Sequence, residues 1–153
     1  MAEPKPILLV EDSPKDVELT LAALEQCRLA NAVVVARDGA EALDYLHARG
    51  TFANRKTGNP VLILLDLKLP KIDGLEVLAQ VKGDPRLRHT PVVMFTSSRE
   101  ERDLARSYSL GVNAFVVKPV GFEPFFAAIR DLGMFWAVHN ELPPLAQTAG
   151  IAP

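Results

Sequence analysis

The sequence predicts an α/β domain built on an open, five-stranded parallel sheet. Three observations point to it. Five short apolar runs, none longer than five residues, alternate with segments whose apolar residues recur at helical spacing. Four of the runs end in residues that carry chemistry: Glu11-Asp12, Asp66, Thr96 and Lys118. A length of 153 residues, 48% apolar and 24% charged, suits one globular domain with its own core.

The first strand is Ile7 to Val10. After it, Ser13-Pro14-Lys15-Asp16 has the form of a helix N-cap with proline at the first helical position, and Val17, Leu21 and Leu24 follow at helical spacing. The second strand is Ala32 to Ala36. Asp38-Gly39-Ala40-Glu41 starts the next helix in the manner of a capping box, with Ala42, Leu43 and Leu46 as its buried face. Gly50 to Pro60 is polar and rich in breakers, a surface loop or a frayed helix end.

The third strand, Val61 to Leu65, is the most apolar and so the most central. A helix opening at Asp73-Gly74 carries Leu75, Val77, Leu78 and Val81 and stops near Gly83-Asp84-Pro85. The fourth strand, Val92 to Phe95, follows Pro91. Arg99 to Leu110 is a charged helix stopped by Gly111, and the fifth strand, Ala114 to Val117, leads into Lys118-Pro119. The last helix starts near Gly121 and runs to about Val138. Residues 1–140 are expected to form one domain, and residues 141–153, with three prolines, a loosely held tail. Right-handed crossovers leave few topologies for this series, and the favoured one is doubly wound, in flavodoxin-like strand order 2-1-3-4-5.

Composition narrows the function. A formal net charge of -2 gives no electrostatic reason to expect nucleic-acid binding. Cys27 is the only cysteine, which excludes an internal disulfide and a cysteine-based metal site; it reads as a small buried residue. The apolar stretch behind Met1 to Pro6 is too short for a signal peptide or a membrane span, so a cytoplasmic location is the expectation. His47, His89 and His139 lack partners at ligand spacing and read as surface or helix-end residues.

In a sheet of this kind the carboxyl ends of the strands line one edge, where ligands bind. Glu11, Asp12, Asp66, Thr96 and Lys118 should therefore meet. A like-charge pair at about 4 Å costs roughly 4 kcal/mol at an effective dielectric near 20, so three gathered carboxylates should hold protons or a cation. Their hard oxygens suit Mg²⁺ better than Zn²⁺. Three carboxylates, Lys118 and Mg²⁺ sum to zero charge, a site able to accept a dianionic phosphoryl group. Asp66, after the most central strand, is the candidate nucleophile. The metal, Lys118 and the Thr96 hydroxyl would each meet one oxygen of the transferred group. Glu11 and Asp12 are better placed as metal ligands.

At this point the sequence closely resembles the receiver domain of bacterial two-component response regulators. The matching pieces are Ile7-Leu8-Leu9-Val10-Glu11-Asp12, Leu65-Asp66-Leu67-Lys68-Leu69-Pro70 with Asp73-Gly74, Phe95-Thr96-Ser97, and Ala114-Phe115-Val116-Val117-Lys118-Pro119. The resemblance implies that Asp66 takes a phosphoryl group from a sensor histidine kinase. It implies that Glu11, Asp12, Asp66 and the backbone carbonyl of Lys68 serve the Mg²⁺, that Thr96 and Phe115 form the switch pair, that Lys118 pairs with phosphoryl oxygens, and that the bond before Pro119 is cis. With no output domain after the receiver, a stand-alone regulator is expected. The Gly50 to Pro60 insertion and the ending from Phe135-Trp136 to Glu141-Leu142-Pro143-Pro144 resemble the regulators that accompany phytochrome-type sensor kinases. Ser97 stands where alanine is common, and Gly121 where a polar cap is often seen. The Lys68 side chain is placed to hinder attacking water, which implies slow self-dephosphorylation; a Lys68→Ala variant that loses phosphate no faster than the parent would count against this.

Taken singly, the same residues have plainer roles. Asp66 alone is a turn former or helix cap, Thr96 a helix N-cap, Lys118-Pro119 an ordinary turn and Phe115 a packed strand residue. Only their joint register argues for chemistry. Along the last helix Phe122, Phe125, Phe126, Ile129, Leu132 and Trp136 recur at helical spacing, with Phe135 and Val138 beside them, more than one face can bury. The surplus suggests a homodimer through the last two helices and the fifth strand. Two rival functions are weaker. A haloacid-dehalogenase-like phosphatase needs a second Asp two residues after the nucleophile, where Lys68 stands. A flavodoxin-like cofactor binder needs a phosphate-cradling loop where Glu11-Asp12 stands.

Overall fold

The computed structural model describes residues 4–56 and 58–144. Five parallel strands, β1 (Ile7–Val10), β2 (Val33–Ala36), β3 (Leu62–Leu65), β4 (Val92–Thr96) and β5 (Ala114–Val117), form one sheet in the order β2-β1-β3-β4-β5. The expected order is the observed one. The helices are α1 (Pro14–Gln26), α2 (Gly39–Leu46), α3 (Gly74–Gly83), α4 (Glu101–Ser109) and α5 (Phe122–Met134). A 3-10 turn, Gly50–Phe52, lies within the loop after α2, and a π-helical turn, Phe135–His139, prolongs α5.

Every residue of β1, β3 and β4 is buried. These strands are covered on both faces, so they are continuous apolar runs instead of alternating ones. Leu8, Val10, Ile63, Leu65, Val92 and Met94 point to the face covered by α2 and α3. Ile7, Leu9, Leu62, Leu64, Val93 and Phe95 point to the other, with Val17 and Leu24 of α1 and Phe125, Phe126 and Ile129 of α5. Burying each such side chain contributes about 1.5–3 kcal/mol. This two-sided core fixes where the strands end, and hence where the site is.

Three helix starts behave as the sequence implies. Ser13 Oγ accepts from Asp16 N (3.3 Å), Asp38 Oδ1 from Glu41 N (2.8 Å) and Asp73 Oδ1 from Glu76 N (3.0 Å); each such cap is worth about 1 kcal/mol. Glu41 also reaches back, to the N–H of Arg37 (2.9 Å). Thr96 is not a helix cap: α4 begins after Glu100, which makes no side-chain cap bond, because Ser97 to Arg99 intervene as loop. Gly121 precedes α5 at φ 100, a torsion that favours glycine over a polar cap.

The peptide bond before Pro119 is trans, against the expected cis form; no cis bond occurs among the described residues. The trans preference at X-Pro is only about 0.5–1 kcal/mol, small enough for the surrounding loop to decide the isomer. Cys27 caps the end of α1 and is half-buried, not buried; burial pushes its thiol pKa up. His47 caps α2, with Nδ1 3.9 Å from Asp84 Oδ2. Of the expected tail, Leu142 packs against the α1–α5 side of the core, and residues 145–153 lie outside the described residues.

Candidate functional site

The carboxyl ends of β1, β3, β4 and β5 open into one cleft of about 260 Å³, lined by Glu11, Asp12, Ser13, Asp16, Asp66, Lys68, Thr96, Ser97, Ser98 and Lys118. Register explains the convergence. Val10, Leu65, Met94 and Phe115 stand at one level across the sheet, so Glu11 and Asp66 leave β1 and β3 side by side, while β4 and β5 run on two residues further to Thr96 and Val117, ahead of Lys118. The site residues expected on this edge are all present.

Lys118 is the hub. Its Nζ donates to Glu11 Oε1 (2.6 Å), Asp16 Oδ2 (2.7 Å) and Asp66 Oδ2 (2.9 Å), across separations of 107, 102 and 52 positions. The second oxygen of Glu11 accepts from Ser13 N (3.1 Å), and the second oxygen of Asp66 from Leu67 N (2.7 Å). Asp66 is thereby held from two sides. Glu11, Asp66, Thr96 and Lys118 are buried, whereas Asp12 is exposed.

Burial pushes the Glu11 carboxyl up to about 7; the neighbouring Asp66 carboxylate adds to this, and Lys118 opposes it. Burial also works against the charge on Lys118, but its contacts with Asp16 and Glu11 and the field of Asp66 outweigh it and hold that pKa above the usual lysine value.

Glu11, Asp12 and Asp66 each offer an oxygen, and the three atoms lie within 4.8 Å of one another. An all-oxygen, anionic donor set fits a hard divalent cation. Lys68 lines the same cleft and also a wider neighbouring one with Asp12, Asp73, Arg102 and Arg106.

Thr96 and Phe115 share one face of the sheet. Phe115 pairs with Met94, two residues before Thr96 on the adjacent strand, and side chains two apart point the same way. The Phe115 ring is half-buried and packs against the core on the α2–α3 side. Thr96 Oγ1 accepts from Ser98 N (3.3 Å), and Ser98 Oγ donates to Asp103 Oδ2 (2.6 Å), tying the loop after β4 to α4.

Asp16 is the functional neighbour that sequence reasoning missed. It was legible as part of a helix cap, but its carboxylate turns to the sheet edge. The available signal was position: a residue in the first turn of α1 stands directly above the end of β1.

The fold and the acidic, lysine-centred edge define a class. The family model of the response regulator receiver domain matches residues 7–130, and the chain belongs to that family. The response regulator Rcp1 of Synechocystis sp. is 40% identical over 140 residues, 92% of this chain and 94% of that one. Its Mn²⁺-bound crystal structure covers 92% of this chain and 100% of that one, with a TM-score of 0.86. The phosphorylated cyanobacterial phytochrome response regulator RcpA is 42% identical, covers 92% and 99%, and gives a TM-score of 0.86. The bacteriophytochrome response regulator AtBRR is 70% identical, covers 92% and 100%, and gives a TM-score of 0.73. No helix among the described residues is long and apolar enough to cross a membrane.

Proposed function

We propose that this receiver accepts a phosphoryl group on Asp66 from the phosphohistidine of a sensor histidine kinase of the phytochrome type. The observation that carries the reading is the contact of Lys118 Nζ with Asp66 Oδ2 at 2.9 Å, beside the gathered oxygens of Glu11 and Asp12. An Asp66 oxygen attacks phosphorus, the P–N bond breaks, and its electron pair returns to the imidazole nitrogen, which takes a proton from solvent. Lys118 and the Thr96 hydroxyl meet two of the phosphoryl oxygens. Glu11, Asp12, Asp66 and the carbonyl of Lys68 would hold Mg²⁺, which when bound supplies positive charge against the incoming dianion. The Mn²⁺-bound Rcp1 and phosphorylated RcpA relatives support both parts of the reading.

The protein turns over no substrate beyond its own phosphorylation and hydrolysis. Phosphorylation biases a two-state equilibrium through Thr96 and Phe115 toward a surface made by α4, β5 and α5. That surface serves a protein partner or a second copy of the chain, not nucleic acid or membrane, and the protein works in the cytoplasm. The test is transfer of labelled phosphate from candidate kinases with Mg²⁺ present. Wild type should acquire an acid-stable, base-labile acyl phosphate and Asp66→Asn none; equal labelling of the two would defeat the assignment.

A further inference from the structure

An ammonium group has three N–H donors, and those of Lys118 are matched one to one by carboxylates: Glu11, Asp16 and Asp66. Two of these belong to the machinery described above. Asp16 does not. Its oxygens are not among the three that gather within 4.8 Å of one another. Its side chain is 24% exposed, against 4% for Glu11 and 11% for Asp66.

Asp16 alters the charge of the edge. Glu11, Asp12 and Asp66 with Lys118 and a divalent cation sum to zero, but the fourth carboxylate leaves the edge with one surplus negative charge. It also occupies the donor that an arriving group needs. For Lys118 to meet a phosphoryl oxygen while it still holds Asp66 for attack, Glu11 or Asp16 must let go. Releasing Glu11 would strand a buried acceptor, a costly outcome. Releasing Asp16 returns a half-open carboxylate to water at little cost.

We propose that Asp16 competes with the phosphoryl group for Lys118 and thereby limits how readily Asp66 is phosphorylated. The inference rests on the phosphoacceptor reading above. Asp16 acts through Lys118 and the local field and does not touch the reacting atoms. Glu11 keeps Lys118 in place when Asp16 lets go, so removing the Asp16 charge speeds the reaction instead of disabling it.

The test compares wild type, Asp16→Asn and Asp16→Glu with two small phosphodonors at neutral pH and saturating Mg²⁺: acetyl phosphate and phosphoramidate, which present the same dianionic phosphoryl group on different leaving groups. Asp16→Asn should raise the second-order rate constant about tenfold with each donor, the change expected when about 1.4 kcal/mol of barrier is removed. Asp16→Glu, which keeps the charge, should stay near wild type. Affinity for trifluoroberyllate, measured by calorimetry with Mg²⁺, should rise in Asp16→Asn as well. An unchanged or slower Asp16→Asn, or an Asp16→Glu that gains as much as Asp16→Asn, overturns the inference. If wild type forms no acyl phosphate with either donor, the phosphoacceptor reading itself fails, and the two failures are distinct.

Discussion

The backbone of Gly74 lies directly against the carbonyl of Asp66. A β carbon at position 74 would overlap the Asp66 carbonyl oxygen and stand 2.8 Å from Leu67 Cα, both backbone atoms that cannot swing aside. The Gly74 N–H donates to Leu67 O at 2.7 Å. The first turn of α3 thus clamps the segment that carries the Asp66 carboxylate. Gly74→Ala is expected to lower stability by about 1–3 kcal/mol, the usual cost of forcing a methyl group into a filled space. It should also slow phosphorylation of the folded fraction, because Asp66 is displaced. Urea denaturation with phosphotransfer kinetics checks both; a variant of wild-type stability and rate would show that the clamp is slack.

Among the described residues, Lys118 is the only cation in contact with Glu11, Asp16 and Asp66, and its side chain is 6% exposed. Lys118→Met should leave these carboxylates uncompensated and destabilise the metal-free fold by about 3–5 kcal/mol at pH 8. The loss should shrink toward pH 5, where protons replace the missing charge, and on adding Mg²⁺. Denaturant titrations at both pH values, with chelator or Mg²⁺, measure it. A loss independent of pH and metal would mean that the lysine serves mainly by packing.

Much of this was legible because the strands are covered on both faces. The runs Ile7 to Val10 and Val61 to Leu65 have no alternation to confuse with a helix, and each stops at the residue where the cleft begins. The cap at Asp38-Gly39-Ala40-Glu41 was readable since its chemistry is local. What escaped was non-local or a matter of rotamer. Nothing in Ser13-Pro14-Lys15-Asp16 says that the last carboxylate faces a lysine 102 positions away. Thr96 looked like a cap because hydroxyls usually cap, but the loop after β4 runs on to Glu100 before α4 begins. The isomer before Pro119 depends on a balance too small for sequence to settle.

Glu11 titrates near 7 in the metal-free protein because it is buried beside Asp66. A raised carboxyl pKa means that the folded state binds the proton more tightly than the unfolded one. This part of the metal-free stability is therefore greatest below the unfolded value of 4.5 and is lost as pH rises through about 7. A cation at Glu11 must displace the same proton. Mg²⁺ affinity is accordingly expected to fall about tenfold from pH 8 to pH 6, with release of most of one proton per ion at pH 6 and little at pH 8. Calorimetry in buffers of different ionisation enthalpy reads both quantities. Equal affinities at the two pH values would place Glu11 outside the metal-binding equilibrium.

The aromatic surplus of the C-terminal part divides as its spacing suggests. Phe125, Phe126 and Ile129 are buried against the sheet, while Phe122, Met134, Phe135 and Val138 remain exposed, as do Leu104 and Tyr108 on α4 and Val120 after β5. Phe135 lies edge-on to Trp136 with ring centroids 4.9 Å apart, so it presents a braced aromatic face to solvent at little entropic cost on association. Stable interfaces bury about 800 Å² per partner, and aromatic side chains near their centre dominate the affinity. The proposed homodimer through α4, β5 and α5 is expected to appear as twice the 16.7 kDa chain mass in light scattering at tens of micromolar. Phe135→Asp should weaken it by at least about 2 kcal/mol, a shift of roughly thirtyfold in dissociation constant, while leaving phosphotransfer to Asp66 intact. The two measurements separate the roles. Monomer mass for the wild type, phosphorylated and not, would remove the dimer; a dimer untouched by Phe135→Asp would move the interface away from the end of α5.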